Sequence, residues 1–458
     1  MAWFLSGLRF SGLAPRPVPA GKAGGETWSR RRPSGRARPF ALALALLMAA
    51  SMWFYVERVL IPYQRAEAAH YGRPRGNLSD LYPRWLGARE LLLHRVDPYS
   101  PQVTREIQAG YYGRALNPAR RYDPKDQQGF AYPVYVAFLL APFLRLDFSL
   151  VRLGFTWVLA GLILATVLFW VKALRWHLSL SGKIVFILLV IGSFPAAQAL
   201  KLQQLTVLVS AMLAAATAAI AAGWLSLAGL LLAISTIKPQ LVLPLLVYLL
   251  IWVVGDWPRR WPLLASFTLT LASLWAAGEW VLPGWVGKFI AALAAYRQYT
   301  GEVSSLTMLL TPAGGVIATV ALLGGLIILG WKLRRAPAAS RAFGLMTALV
   351  LSVTVVVIPT PSPYNLLLLL PAVIELIRDW RRLARAPAVT RVLYLLAAGL
   401  ILWPWLATLY LSLASFLEAP VVAQRGWTLP LYTLLFIPIA VIALLGIEAV
   451  TRQLSPGA

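Results

Sequence analysis

Residues 224–254 read WLSLAGLLLAISTIKPQLVLPLLVYLLIWVV, and Lys238 is the single charged residue in the run. A helix drawn through such a stretch has apolar residues on every side, so no face can be turned to water. The hydrocarbon of a bilayer is the solvent it suits, and there backbone amides are satisfied only in helices or closed barrels. Barrel strands alternate apolar with polar positions; this run is continuous, which makes its spans helical. The break falls at Ser235-Thr236-Ile237-Lys238-Pro239-Gln240. Pro239 has no amide to donate and disfavours helix at the residue before it, so the chain turns at Lys238 and presents the ammonium at the membrane boundary.

The rest of the chain follows the same rule. Of its 458 residues 59% are hydrophobic and 13% charged, against roughly a quarter charged in soluble domains. Further apolar runs lie at about 40–61, 130–146, 151–171, 184–200, 204–222, 225–237, 239–254, 262–281, 306–331, 342–358, 362–377, 391–413 and 428–450. The expected fold is an all-α integral membrane protein of about twelve transmembrane helices, each span needing roughly 20 residues. No repeated block marks the inverted halves of many transporters.

A net charge of +25 would suggest nucleic acid in a soluble protein. Here most of the excess lies in loops beside apolar runs, where it acts as a topology signal and a contact for membrane lipids, so no nucleic-acid partner is expected. Residues 1–39 form a basic tail, expected to be disordered and cytoplasmic, ending in Arg30, Arg31, Arg32, Arg36 and Arg38. The polytopic domain runs over 40–450, with a short cytoplasmic tail at 451–458. Basic loops at Lys172–Lys183, Arg259–Arg260, Lys332–Arg341 and Arg378–Arg391 should face the cytoplasm. That puts the turns near Gln203, Lys238 and Pro361 and the segments Leu282–Ser305 and Ser415–Trp427 outside, together with the long loop 62–129. Both termini are then cytoplasmic and the localisation is the cell (plasma) membrane, multi-pass. For the count to alternate, 130–146 must be a juxtamembrane or re-entrant helix.

The chain has no cysteine and only three scattered histidines, His70, His94 and His177. That removes thiol chemistry and makes a histidine metal cluster improbable, so no cofactor is expected, although one or two carboxylates with a phosphate could hold a divalent cation. Ionisable residues inside the spans are few, which argues against proton-coupled carriers and voltage sensors. Lys238 reads either as a lysine snorkelling to headgroups or as an anion site suited to phosphate. The external loop supplies Asp80 in Ser79-Asp80-Leu81-Tyr82-Pro83-Arg84-Trp85 and Asp97 in Asp97-Pro98-Tyr99. Asp80 reads equally as the cap of a helix starting at Leu81 or as a general base toward a hydroxyl. Asp97, before a proline, reads first as a turn residue.

Several blocks in this order resemble glycosyltransferases of the C superfamily that use polyprenyl-phosphate sugars, and most of all glycosyltransferase family 87, which includes polyprenyl-phosphate-mannose-dependent α-mannosyltransferases. They are Asp80-Leu81-Tyr82 through Asp97-Pro98-Tyr99, Ala131-Tyr132-Pro133, Gln204-Leu205-Thr206, Lys238-Pro239-Gln240 and Ser362-Pro363-Tyr364. The family usually shows Tyr-Pro-Pro where this chain has Tyr132-Pro133-Val134, and often Gly-Gln where it has Gln203-Gln204.

The resemblance implies a membrane glycosyltransferase with Asp80 as the catalytic aspartate. The donor would be a polyprenyl-phosphate-linked sugar and the acceptor a lipid or glycan. Lys238, with Arg84 or Arg297, would meet the donor phosphate; Tyr82, Asp97, Tyr99, Tyr132, Gln204, Gln240 and Tyr364 would contact substrate, each with an interfacial anchor as its alternative. A transporter or flippase of lipid-linked sugars is the rival from another class, a structural subunit a second, and a ligase of whole glycans a third, close in chemistry.

Overall fold

The computed structural model describes residues 37–73, 78–117, 119–301, 303–359 and 361–453. The tails expected over 1–39 and 451–458 lie almost wholly outside the described residues. Among the described residues the chain is helical, with no strand.

Helix α1 (Ala37–Tyr55) passes through a π-helical turn, Val56–Leu60, straight into α2 (Ile61–His70). The first span therefore does not end at Pro62. The wider π turn just before it accommodates the amide that proline lacks and the ring that would press on the preceding carbonyls. The loop beyond carries α3 (Tyr82–His94) and α4 (Pro101–Tyr112). The 130–146 run contains only α5 (Val136–Leu140) and a 3-10 turn at Ala141–Phe143, far short of a hydrocarbon thickness of about 30 Å.

Then follow α6 (Phe148–Ala173), α7 (Leu180–Ile191), α8 (Phe194–Lys201), α9 (Thr206–Ala221), α10 (Leu225–Ser235) and α11 (Pro239–Val254). After them come α12 (Trp257–Val281), α13 (Trp285–Thr300), α14 (Ser305–Leu309), α15 (Pro312–Lys332) and α16 (Arg341–Val357). A 3-10 segment, Pro363–Leu369, leads into α17 (Leu370–Arg378) and α18 (Trp380–Leu383). The chain closes with α19 (Ala388–Ala414), α20 (Pro420–Arg425), α21 (Thr428–Thr433) and α22 (Phe436–Gln453).

Twelve long spans are not what the described residues contain. Six helical stretches are long and apolar enough to cross: Arg38–His70, Phe148–Ala173, Trp257–Val281, Pro312–Lys332, Ala388–Ala414 and Pro420–Ala449. A seventh arises if α7 and α8, bent by 59° at Gly192–Ser193, count as one. Ser193 causes that break: it caps α8 by accepting from the Ala196 amide, while its hydroxyl closes α7 at the Val190 carbonyl, 2.7 Å away.

The remaining apolar helices, α9, α10, α11 and α16, have 10–17 residues. Two of them are walled by protein: α16 is buried from Phe343 to Val356, and α9 at most of its positions. A helix surrounded by other helices does not need to match the bilayer with its own length. The expected span at 362–377 is likewise 3-10 helix for its first half, and the segment 282–305, expected to be an external loop, is largely helix α13. At the periphery, α12 and α15 face outward over most of their surface.

Candidate active site

The turns that the sequence marked do meet. Gln204, Lys238 and Tyr364 all follow or precede helices at one end of the bundle, and Asp80 enters from the loop.

Asp80 is placed by backbone first. Its amide donates to the Leu202 carbonyl at 3.1 Å, and the fully buried Ser79 donates to Gln203 Oε1 at 2.6 Å. Ser79, not Asp80, serves the start of α3, accepting from the Leu81 amide at 3.2 Å. The cap reading of Asp80 is thus replaced: its carboxylate accepts from the Tyr111 hydroxyl at 3.2 Å and from the Gln204 side-chain amide. Its carbonyl accepts from Arg84 Nη1 at 2.6 Å.

Lys238 follows from its local sequence. The Ser235 and Thr236 hydroxyls donate back to the carbonyls of Leu232 and Ala233, ending α10, and Pro239 starts α11 without needing an amide partner. Lys238 between them has φ −124° and ψ 77°, the extended region favoured before proline. Tyr135 pins the turn by donating to the Thr236 carbonyl at 3.0 Å.

Lys238 is 7% exposed. Its ammonium donates to Gln204 Oε1 at 2.9 Å and to the Thr206 hydroxyl at 2.8 Å, while Thr206 in turn donates to Asn365 Oδ1 at 3.4 Å. The Gln204 amide is oriented without ambiguity, since an ammonium only donates and a carboxylate only accepts. One side chain thereby joins Asp80 to Lys238.

Aromatic rings complete the group. Lys238 lies 5.8 Å from the ring centre of Tyr132 and 5.3 Å from that of Tyr364, and Arg84 lies 4.5 Å from Tyr132. Tyr296 of α13 is within electrostatic reach of Arg84. A buried ammonium with only neutral partners is costly unless an anion joins it. Among the described residues Lys238 has no ion pair.

Gln203 holds the geometry open. Its φ of +47° is a left-handed conformation, which costs a residue with a β-carbon about 1–2 kcal/mol and glycine little. The side chain offsets this with bonds to Ser79, to the Thr156 hydroxyl at 3.0 Å and to the Leu200 carbonyl at 2.6 Å, each worth about 0.5–1.5 kcal/mol. The Gly-Gln of the resembling family fits here for the same backbone reason.

The other sequence candidates lie apart. Tyr82 packs on Trp85, Phe148 and Gly110. Asp97 accepts from the Tyr99 amide at 2.9 Å and pairs with Lys288 of α13 at 2.7 Å. Tyr99 supports the site indirectly, donating to the Tyr132 carbonyl at 2.6 Å. Gln240 is exposed in the first turn of α11, and Arg297 is exposed in the last turn of α13, one residue past Tyr296.

The sequence reading missed Tyr111, Thr206, Asn365 and Tyr296. Thr206 closes the block Gln204-Leu205-Thr206, which was noted without a role for it, and Asn365 sits beside Tyr364, whereas Tyr111 and Tyr296 carry no local signal. Among the described residues no group of three His, Cys, Asp or Glu is arranged to hold a metal ion.

One residue beyond Asn365 the surroundings become apolar. A cavity of about 330 Å³ is lined by Leu366 and Leu367, by Phe186 and Leu189 of α7 and by Trp405 of α19.

The family model described as glycosyltransferase family 87 matches residues 130–361, a little over half of the chain. Tyr132, Gln204, Lys238 and Tyr296 fall within that match; Asp80, Arg84, Tyr111 and Tyr364 fall outside it. Neither a curated protein nor a solved structure matches. With that pattern running through the helical membrane scaffold that carries Gln204 and Lys238, the chain belongs to glycosyltransferase family 87 and is a membrane glycosyltransferase.

Proposed function

We propose that this enzyme moves a sugar, mannose or a similar hexose or pentose, from a polyprenyl-phosphate-linked donor to a lipid or glycan acceptor on the non-cytoplasmic face, with inversion. The observation that carries the reading is the Gln204 amide linking the Asp80 carboxylate to the buried Lys238 ammonium. A carboxylate and a buried ammonium joined through one polar side chain suit the displacement of a phosphate by a hydroxyl, the first as base and the second as anion-binding cation.

In this mechanism Asp80 takes the proton of the acceptor hydroxyl as its oxygen bonds to the anomeric carbon. The bond from that carbon to the phosphate oxygen breaks, and its electron pair leaves with polyprenyl phosphate. Lys238 and Arg84 meet the charge of the leaving group. Tyr132, Tyr364 and Tyr296 supply ring faces and hydroxyls for the sugar. The apolar cavity beyond Asn365 suits an isoprenoid chain, which buries CH2 and CH3 groups at about 0.8 kcal/mol each.

In this topology α9, α10, α11, α16 and the 3-10 segment with α17 complete about twelve crossings, the termini lying in the cytoplasm. No resident cofactor is required. EDTA is expected to leave the rate unchanged; a loss restored by a divalent ion would assign part of the phosphate charge to that ion instead.

The decisive experiment supplies membranes carrying the enzyme with polyprenyl-phosphate mannose and glycolipid acceptors, and compares Asp80→Asn. Asparagine keeps the shape of the side chain but cannot take the proton, so transfer should fall about 10²–10⁴-fold. Full transfer by the variant would remove Asp80 from the base role. Consumption of a nucleotide sugar in place of the polyprenyl donor would overturn the donor class.

A further inference from the structure

The opposite end of the bundle carries a second cationic site. Helix α16 runs about 25 Å from the Tyr364 end to Arg341 at its start. There Arg378, Arg381, Arg382, Arg385 and Arg391 lie within one short segment of sequence. Three acids meet part of this charge. Glu375 stands 3.5 Å from Arg341 and 3.7 Å from Arg378; Asp379 accepts from Arg341 and, at 2.9 Å, from Arg382; Glu448 of α22 pairs with Arg382. Arg381, Arg385 and Arg391 have no acidic partner among the described residues, and Arg381 lies 5.5 Å from the Trp380 ring centre.

The arginines are held around a space. Leu383, 1% exposed, anchors the α18 turn in the core. A cavity of about 630 Å³ opens between that turn and the end of α22, lined by Arg381, Arg382, Arg385 and Thr390, by Glu448, whose carboxylate Arg382 meets, and by Pro387 and Ile447 as apolar wall. Directly along α19 from it, Val389, Val392 and Leu396 are 71%, 52% and 56% exposed, and their spacing puts them on one face of the helix. A topology signal alone needs positive charge in a loop, satisfied equally by lysine. It needs neither a cavity nor an all-arginine set, whose planar forks suit phosphate oxygens.

We propose that this cavity binds the headgroup of an anionic phospholipid, with its acyl chains lying on the Val389–Leu396 face, so that the lipid ties α17–α19 to α22. Basic pockets between transmembrane helices hold anionic headgroups by this combination of charge and adjoining apolar surface.

The test uses the full chain in detergent, with native mass spectrometry for retained lipid and thermal unfolding as readouts. Phosphatidylglycerol should be retained and should raise the unfolding temperature, whereas phosphatidylcholine should not. Arg381→Gln with Arg385→Gln should weaken retention about fivefold per arginine removed. Lys332→Gln with Arg335→Gln, in another basic turn, should leave it unchanged. Arg385→Lys keeps the charge and gives a milder variant, in which retention should fall less but measurably.

Equal loss from both double variants, or no loss from Arg381→Gln with Arg385→Gln, would overturn the site in favour of diffuse attraction. The same thermal shift from inorganic phosphate alone would overturn the lipid as its occupant.

Discussion

Lys238 Nζ donates to Gln204 Oε1 across 2.9 Å, and these two residues come from turns on separate helix pairs, α8–α9 and α10–α11. Through the other half of the same amide the pair reaches Asp80, so a substitution at any of the three changes the setting of the others.

Lys238→Met separates a catalytic lysine from a structural one. The ammonium is buried among neutral partners, so replacing it by an apolar chain of similar length should leave the thermal stability equal or higher. Transfer should fall about 10²–10³-fold, the cost of losing one preorganised charge on the leaving group. Unchanged transfer with lowered stability would make Lys238 a scaffold residue.

Gln203 inverts the usual ranking of alanine over glycine near helices. Both Gln203→Ala and Gln203→Gly lose the bonds to Ser79, Thr156 and Leu200, but only glycine is relieved of the left-handed φ of +47°. The glycine variant should be the more stable by about 1 kcal/mol, read from thermal unfolding of the two proteins in one detergent.

Gly110→Ala should disable the enzyme from outside the polar group. A β-carbon on Gly110 would stand 1.8 Å from the Tyr82 hydroxyl oxygen, so Tyr82 must leave its place between α3 and α4. Tyr111, the next residue, is the donor to Asp80. Reduced transfer is expected, together with faster amide exchange in α3 and α4. Unaltered exchange would show that the two helices absorb the methyl group.

The loop that carries Arg114 and Asp123 has its own acid limit. Arg114 donates to both Asp123 oxygens and the Asn117 amide adds a further bond, and the Arg114 guanidinium holds the Asp123 carboxyl down to about 2. Its ordinary value is near 3.9. A carboxyl depressed in the folded state stabilises fully above its unfolded value and loses that contribution as pH falls toward the folded one. Resistance of the 114–123 segment to pepsin should therefore hold at pH 4 and decline toward pH 2, while Asp123→Asn should be cleaved readily at pH 4.

The sequence by itself determined that this chain is a helical membrane protein, because runs such as 224–254 offer no polar face and a proline-marked break can only sit where the helix ends. It also singled out Lys238, a lone charge against an apolar background, and left Asp80 even between cap and base, while Gln204 entered through the resemblance to glycosyltransferase family 87. The number of long spans was not legible: a 20-residue rule assumes lipid around each helix, and α16 is surrounded by protein instead.

Nor could the sequence choose whether the Asp80 carboxylate caps α3 or meets Tyr111 and Gln204, or show that Tyr296 of α13 comes near Arg84. Those choices depend on which face of a helix meets which neighbour, and on a backbone reversal at Gln203 that turns the next side chain inward. Tyr111 and Gln204 lie 31 and 124 residues from Asp80, and only the packing of the loop helices against the end of the bundle brings all three together.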